Sequence, residues 1–340
     1  MKNKYLVLAA ILILLVIIFQ KQISTHLKIA LFITEQFPQI PIKPLGIVTT
    51  LPIHQKIELD SENGKIVGDL FTPVNNGPKS VLIVAMGIKT AEDDKPLILK
   101  FSDTLARLGY VVFWPRLEIL DKGQSLPEEP ETFVESFKYL EENPSTSLRV
   151  DKSKISFMGF SVGSSVAMKA AEDPTINDKV HGLIFFGGFY DVFDYYISLA
   201  TKTTKLDGQI LPWDPAPDAV DHAKGLLKTR GADQLIKIFE ATSSAQAYNL
   251  IKGAPQDEID GLKKYNPREN LNAFKAKIFL LHDKADTYVP YSESVRLNQA
   301  LGDRNQQFLL IDLFEHVQPN RPINLGELFK LYGFIYQVFS

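Results

Sequence analysis

The stretch Ile155-Ser-Phe-Met-Gly-Phe-Ser-Val-Gly-Ser164 constrains this chain more than any other. It reads as an apolar strand running into Gly159-Phe160-Ser161-Val162-Gly163, a G-x-S-x-G match, and Val166 to Ala171 behind it reads as helix. Strand, tight turn and helix in that order lift a serine hydroxyl above a sheet, with the amides of the helix N-terminus beside it. A serine hydroxyl is a weak nucleophile alone. The reading therefore demands a histidine base, an acid to orient that base, and backbone N–H groups to hold an oxyanion.

Partners of the right kind follow in the right places. Ala276 to Leu281 reads as a buried strand, and the loop after it carries Asp286. Gln307 to Phe314 reads as another apolar strand, and His316 follows it. The order is serine, aspartate, histidine, each just past a strand end. In that order and context the chain resembles the α/β-hydrolases, and among them the dienelactone-hydrolase-like and serine-esterase branch. The resemblance runs from about Lys56 to the C-terminus. His282-Asp-Lys-Ala-Asp286 with Val289-Pro290 is similar to the family's His-Gly-x-x-Asp-x-x-Val-Pro pattern, with Asp283 where the family has glycine.

The resemblance implies an α/β fold with a mostly parallel central sheet flanked by helices. It implies Ser161 as nucleophile, His316 as base and Asp286 as the orienting acid, with Asp191 in reserve because some members draw the acid from the preceding strand end. Met86-Gly87-Ile88 follows the apolar strand Ser80 to Ala85, where the family has His-Gly-x. Carried over, the oxyanion donors are the N–H groups of Ile88 and Val162, and an N–H donor needs no particular side chain. The activity implied is hydrolysis of carboxylic esters of small or apolar substrates, with no cofactor and no metal. A serine peptidase or an acyltransferase would use the same three side chains, and a silent fold serving as a tethered binding module is the remaining alternative.

Composition narrows the partners. A net charge of -3 gives no reason to expect nucleic acid. The chain has no cysteine, which excludes disulfides, a cysteine nucleophile and a cysteine-linked lipid anchor. Met1-Lys-Asn-Lys4 followed by the apolar run Tyr5 to Phe19 has the form of an export signal, yet no small-x-small cleavage site follows. The expectation is a signal-anchor over residues 1–22, a membrane-proximal stretch and proline-containing linker over 23–47, and a hydrolase domain over 48–340. Lys2 and Lys4 would remain cytoplasmic and leave that domain extracytoplasmic; secretion after cleavage is the alternative.

Strand-like and helix-like segments alternate from Lys65 onward, which argues a parallel sheet with helices on both faces. One interval breaks the rhythm: roughly 80 residues separate the strand ending at Gly188 from the strand starting at Ala276, too long for an ordinary crossover. Helical patterns at Val192 to Ala200, Ala219 to Lys228, Asp233 to Leu250 and Asp257 to Lys264 predict a helical cap over about 191–270. Its aromatic residues Tyr190, Phe193, Tyr195 and Trp213 are the pocket candidates. Of six histidines, His282 reads as structural and His316 as chemical.

Overall fold

Apolar side chains fall on alternate faces of the inner strands, so each face must be covered. The computed structural model describes residues 20–61, 64–87, 95–117, 129–142 and 148–340. Its strands are β1 (Ile53–Ser61), β2 (Gly64–Thr72), β3 (Lys79–Ala85), β4 (Val111–Leu117), β5 (Val150–Phe160), β6 (Gly182–Phe186), β7 (Thr203–Leu206), β8 (Gln209–Pro212), β9 (Lys277–Asp283) and β10 (Asn305–Ile311). Among the described residues, eight of them form one sheet in the order β1-β2-β4-β3-β5-β6-β9-β10. β1 and β2 pair antiparallel, as do β2 and β4; every pair from β4 through β10 is parallel. β3, the apolar strand before Met86, is central, between β4 and β5.

Among the described residues the longer helices are α1 (Gln20–Gln36), α2 (Lys95–Arg107), α3 (Pro130–Glu142), α4 (Val162–Ala171), α5 (Val192–Thr201), α6 (Pro217–Thr229), α7 (Ser244–Lys252), α8 (Gln256–Lys263), α9 (Ser292–Leu301) and α10 (Leu325–Phe339). Val81, Ile83 and Ala85 of β3 join the core beneath α3, α4 and α9. Leu82 and Val84 join the opposite core, beneath α1, α2 and α10. Each large side chain so buried contributes about 1.5–3 kcal/mol.

Two expectations change. Residues 23–47, expected as a membrane-proximal stretch and linker, are docked on the domain, with α1 packed against α2 and α10. Ile29, Ile33 and Phe37 are buried against the layer that α10 completes. His26 hydrogen-bonds the Tyr332 hydroxyl, and the Lys43 ammonium donates to the carbonyls of Thr34 (2.6 Å) and Phe37 (2.8 Å). The apolar run Tyr5 to Phe19 lies outside the described residues. Among those described, no helix is long and apolar enough to cross a membrane.

The cap is also not purely helical. β7 and β8 form an antiparallel hairpin turned by Asp207 (φ 49°) and Gly208 (φ 79°), the Asp-Gly pair that suits a tight hairpin turn. The helix expected from Asp233 to Leu250 is broken: a short turn Asp233–Ile236 runs into a 3-10 turn, and α7 starts afresh behind Ser243, whose hydroxyl caps the Gln246 amide.

Candidate active site

Ser161 stands between β5 and α4 with φ 55° and ψ -138°. That left-handed backbone costs about 1–3 kcal/mol for a residue with a Cβ, and surrounding contacts must hold it. They include a hydrogen bond from the Ser161 amide to the Phe186 carbonyl at 2.8 Å. The motif's glycines answer to close approach: a Cβ on Gly159 would lie 2.3 Å from Ser164 Cα, and one on Gly163 2.3 Å from the Met86 carbonyl oxygen. The serine hydroxyl faces the end of β3, since a Cβ on Gly87 would lie 3.2 Å from Ser161 Oγ. Val162 is the first residue of α4, so its N–H is among the donors a helix N-terminus leaves unpaired. Ile88 lies outside the described residues.

His316 and Asp286 meet across the ends of β9 and β10. The imidazole Nδ1–H donates to Asp286 Oδ2 at 2.7 Å, which leaves Nε2 as the ring's basic nitrogen. Asp286 Oδ1 accepts the amides of Tyr288 (2.7 Å) and Val289 (3.0 Å). Burial opposes the charge on Asp286, but the positive charge of His316 and hydrogen bonds from His282 and His316 outweigh it and hold the carboxyl well below its usual range. Tyr288 stacks on the His316 ring with centroids 4.8 Å apart, and its hydroxyl donates to Asp218 at 2.7 Å. β6 links this pair to Ser161. Phe186 accepts the Ser161 amide, and a Cβ on the next residue, Gly187 (φ 66°), would lie 3.7 Å from His316 Cε1 and 3.4 Å from Asp286 Oδ2.

Asp283, where the resemblance expects glycine, has a structural task. Its fully buried carboxylate accepts the amides of Leu313 (2.9 Å), Phe314 (2.8 Å) and Ala285 (2.9 Å), tying the end of β9 to the segment that carries His316. His282 is fully buried: its Nε2–H donates to the Val289 carbonyl at 3.0 Å, and Nδ1 accepts the Ser294 hydroxyl at 2.7 Å. It props the Asp286 loop, as a structural histidine would.

Asp191, the reserve acid, is not at His316. It caps α5, accepting the amides of Phe193 (3.0 Å) and Asp194 (3.4 Å), and it pairs with Arg268 at 2.5 Å. Glu293 lies beneath that turn, buried, accepting the amides of Tyr190 (2.9 Å) and Asp191 (3.0 Å) while Arg296 pairs with it from the other side. Burial pushes the Glu293 carboxyl up to about 7 against the pull of Arg296.

A small cavity opens beside Val162 under the cap. Phe189, Val192, Tyr195 and Tyr196 form one side of it; Ala223 and Leu226 of α6, Leu262, Tyr265 and Arg230 form the other. It is partly open to solvent and holds about 30 Å³, room for about two water molecules. Of the aromatic candidates, Tyr195 lines it. Tyr190, Phe193 and Trp213 do not: Tyr190 and Phe193 are held by the Asp191 turn, and the Trp213 indole N–H donates to the Asp286 carbonyl at 2.9 Å. Tyr265 and Arg230 carried no local signal, because only the return of the cap brings them back to α4. Among the described residues no cluster of three or more histidine or acidic side chains is placed to hold a metal ion.

Solved structures share the architecture at low sequence identity. The 2,6-dihydroxy-pseudo-oxynicotine hydrolase is 16% identical with a TM-score of 0.52, over 85% of this chain and 69% of that one. The Pyrococcus horikoshii acylaminoacyl peptidase is 14% identical with a TM-score of 0.53, over 88% of this chain and 44% of that one. A Mycobacterium tuberculosis puromycin-hydrolyzing peptidase is 14% identical with a TM-score of 0.52, over 86% of this chain and 38% of that one. The chain thus spans less than half the length of either peptidase. No curated protein sequence matches it. Residues 69–301, more than half of the chain, match the family BD-FAE. The chain belongs to that family, and with it to the hydrolases of the α/β-hydrolase superfamily.

Proposed function

We propose that the protein is a serine carboxylesterase acting on small esters through an acyl-enzyme. The observation that carries this is the His316–Asp286 pair, joined through the end of β6 to a serine held in a left-handed turn at a helix N-terminus. Nε2 of His316 takes the Ser161 hydroxyl proton as the oxygen attacks the ester carbonyl. Asp286 fixes the tautomer and stabilises the imidazolium. The Val162 N–H, with that of Ile88, receives the oxyanion, each donor contributing about 3 kcal/mol to transition-state stabilisation. His316 then returns the proton to the leaving alcohol, and water releases the acid by the reverse sequence. Labelling with a fluorophosphonate probe tests the reading: wild type is expected to label, and Ser161→Ala and His316→Ala are not. A folded wild type that stays unlabelled would refute it.

The apolar run Tyr5 to Phe19 supports a second proposal, that the enzyme is tethered to a membrane with its catalytic domain on the extracytoplasmic side. Fractionation with protease protection decides it, and recovery of full-length protein in the soluble cytosolic fraction would overturn it.

A further inference from the structure

His316 stands on a strained turn. Its φ is 58°, and Glu315 and Gln318 close the turn by exchanging amide–carbonyl bonds of 2.8 and 3.1 Å. A left-handed residue with a Cβ keeps that conformation only where its surroundings hold it. Three sides of the imidazole are held. Asp286 takes the Nδ1 edge, and Gly187 lies beside Cε1, where an added Cβ would come within 3.7 Å. The third side is a ring face, on which Tyr288 stacks with 24° between the planes. Tyr288 is in turn fastened to the cap. The segment entering α6 runs beside the Asp286 loop and bonds it in register. The Trp213 indole N–H donates to the Asp286 carbonyl (2.9 Å), the Ala216 amide to the Thr287 carbonyl (2.8 Å), and the Tyr288 hydroxyl to Asp218 (2.7 Å). Asp218 lies in the first turn of α6. Burial, with the bond to Asp218 and its charge, pushes the Tyr288 hydroxyl up to about 12, so that donor keeps its proton. The third of these bonds reaches the base itself, through the stacked ring.

We propose that Tyr288 is a positioning residue for His316, and that Asp218 of the cap holds its ring in place. This rests on the esterase reading above. Tyr288 acts through the imidazole, away from the bonds that break and form: its face fixes the plane of the ring, and so the direction of Nε2. Acylation by an alkyl ester uses that nitrogen twice. It takes the Ser161 proton as the oxygen attacks, then gives that proton to the departing alkoxide as the C–O bond breaks. A p-nitrophenolate leaves without the proton and uses Nε2 once. A misdirected imidazole therefore slows the alkyl ester more than the p-nitrophenyl ester of the same acid.

Ethyl butyrate and p-nitrophenyl butyrate, assayed with the full-length protein, read this difference. Tyr288→Leu removes the aromatic face. It is expected to lower kcat/KM on the ethyl ester by about 10- to 100-fold, the scale of a misplaced catalytic group, and its ratio to the p-nitrophenyl ester by about tenfold. Tyr288→Phe keeps the ring and gives up only the bond to Asp218, at an expected cost of about threefold on the ethyl ester. Because each ratio is taken within one preparation, partial loss of folded protein cancels. A double-mutant cycle tests the cap's part and needs no leucine variant. The effect of Asp218→Ala is expected to be about threefold smaller in Tyr288→Phe than in wild type, since the bond is already gone. A wild-type ratio in Tyr288→Leu, or equal effects of Asp218→Ala in the two backgrounds, overturns the proposal while leaving the esterase reading intact. A wild type that hydrolyses neither ester would count against the esterase reading itself and take this inference with it.

Discussion

His316 Nδ1 lies 2.7 Å from Asp286 Oδ2. The same carboxylate is held through its other oxygen by the amides of Tyr288 and Val289. An asparagine at 286 can keep those two amide contacts, but its NH₂ group then faces Nδ1 and favours the wrong imidazole tautomer. Asp286→Asn is therefore expected to fold normally and to lose about 10⁴ in kcat on a good ester substrate. Steady-state kinetics beside a thermal melt checks it. A loss of less than tenfold would mean that another group orients the imidazole.

Asp283 makes a second prediction, distinct in kind because it touches no reacting atom. Burial raises its carboxyl while the amides of Phe314, Ala285 and Leu313 pull the other way. Asp283→Ala leaves those three N–H groups without their acceptor beside the His316 segment. Each unsatisfied buried donor costs about 1–3 kcal/mol. The variant is expected to melt well below wild type and to lose kcat with KM nearly unchanged, since the imidazole shifts while the cavity does not. A variant impaired only in KM would contradict a positioning role.

Much of this site was legible because its parts sit at strand ends, where hydrophobic period and turn residues are local signals. Ser161, Asp286 and His316 could be picked out that way. What stayed hidden depends on contacts across long sequence separation. The task of Asp283 is visible only once β9 and β10 are paired, and Arg230 reaches the cavity only through the return of the cap. The hairpin β7–β8 did carry a local signal, Asp207-Gly208, which the surrounding helical patterns obscured. α1 looked like a membrane-proximal stretch because its apolar residues pack against α2 and α10, helices far along the chain.

Glu172 gives a test in pH. It is buried at the end of α4, bonded to Lys169 at 2.6 Å through one oxygen, and its other oxygen has no partner among the described residues. Burial pushes its carboxyl from 4.5 up to about 7, against the pull of Lys169. The folded state thus keeps a proton that the unfolded chain has lost, and stability falls as pH rises through that window. The full difference is on the order of 3 kcal/mol above neutrality. Glu172→Gln is expected to match wild type near pH 5 and to melt several degrees higher near pH 8. Equal melting temperatures for the two proteins at pH 8 would show that the carboxylate is comfortably ionised in place.

The docking of α1 predicts where the chain can be shortened. Ile29, Leu31, Ile33 and Phe37 are all buried, and Phe37 packs against Phe314, two residues from His316. At about 1.5–3 kcal/mol for each large side chain, their removal forfeits up to roughly 6–12 kcal/mol, comparable to the whole stability of a typical domain. A protein beginning at Gln20 is expected to unfold in one cooperative transition. One beginning at Leu45 is expected to be aggregated or molten, because the face beneath α1 is bare. Ile29→Ala is the milder form of the same test, with an expected loss of about 2–5 kcal/mol by denaturant titration. If the shorter protein melts at the same temperature as the longer one, α1 is an ornament on the domain; a large loss makes it part of the second helical layer, and ties the His316 segment to a helix nearly three hundred residues earlier in the chain.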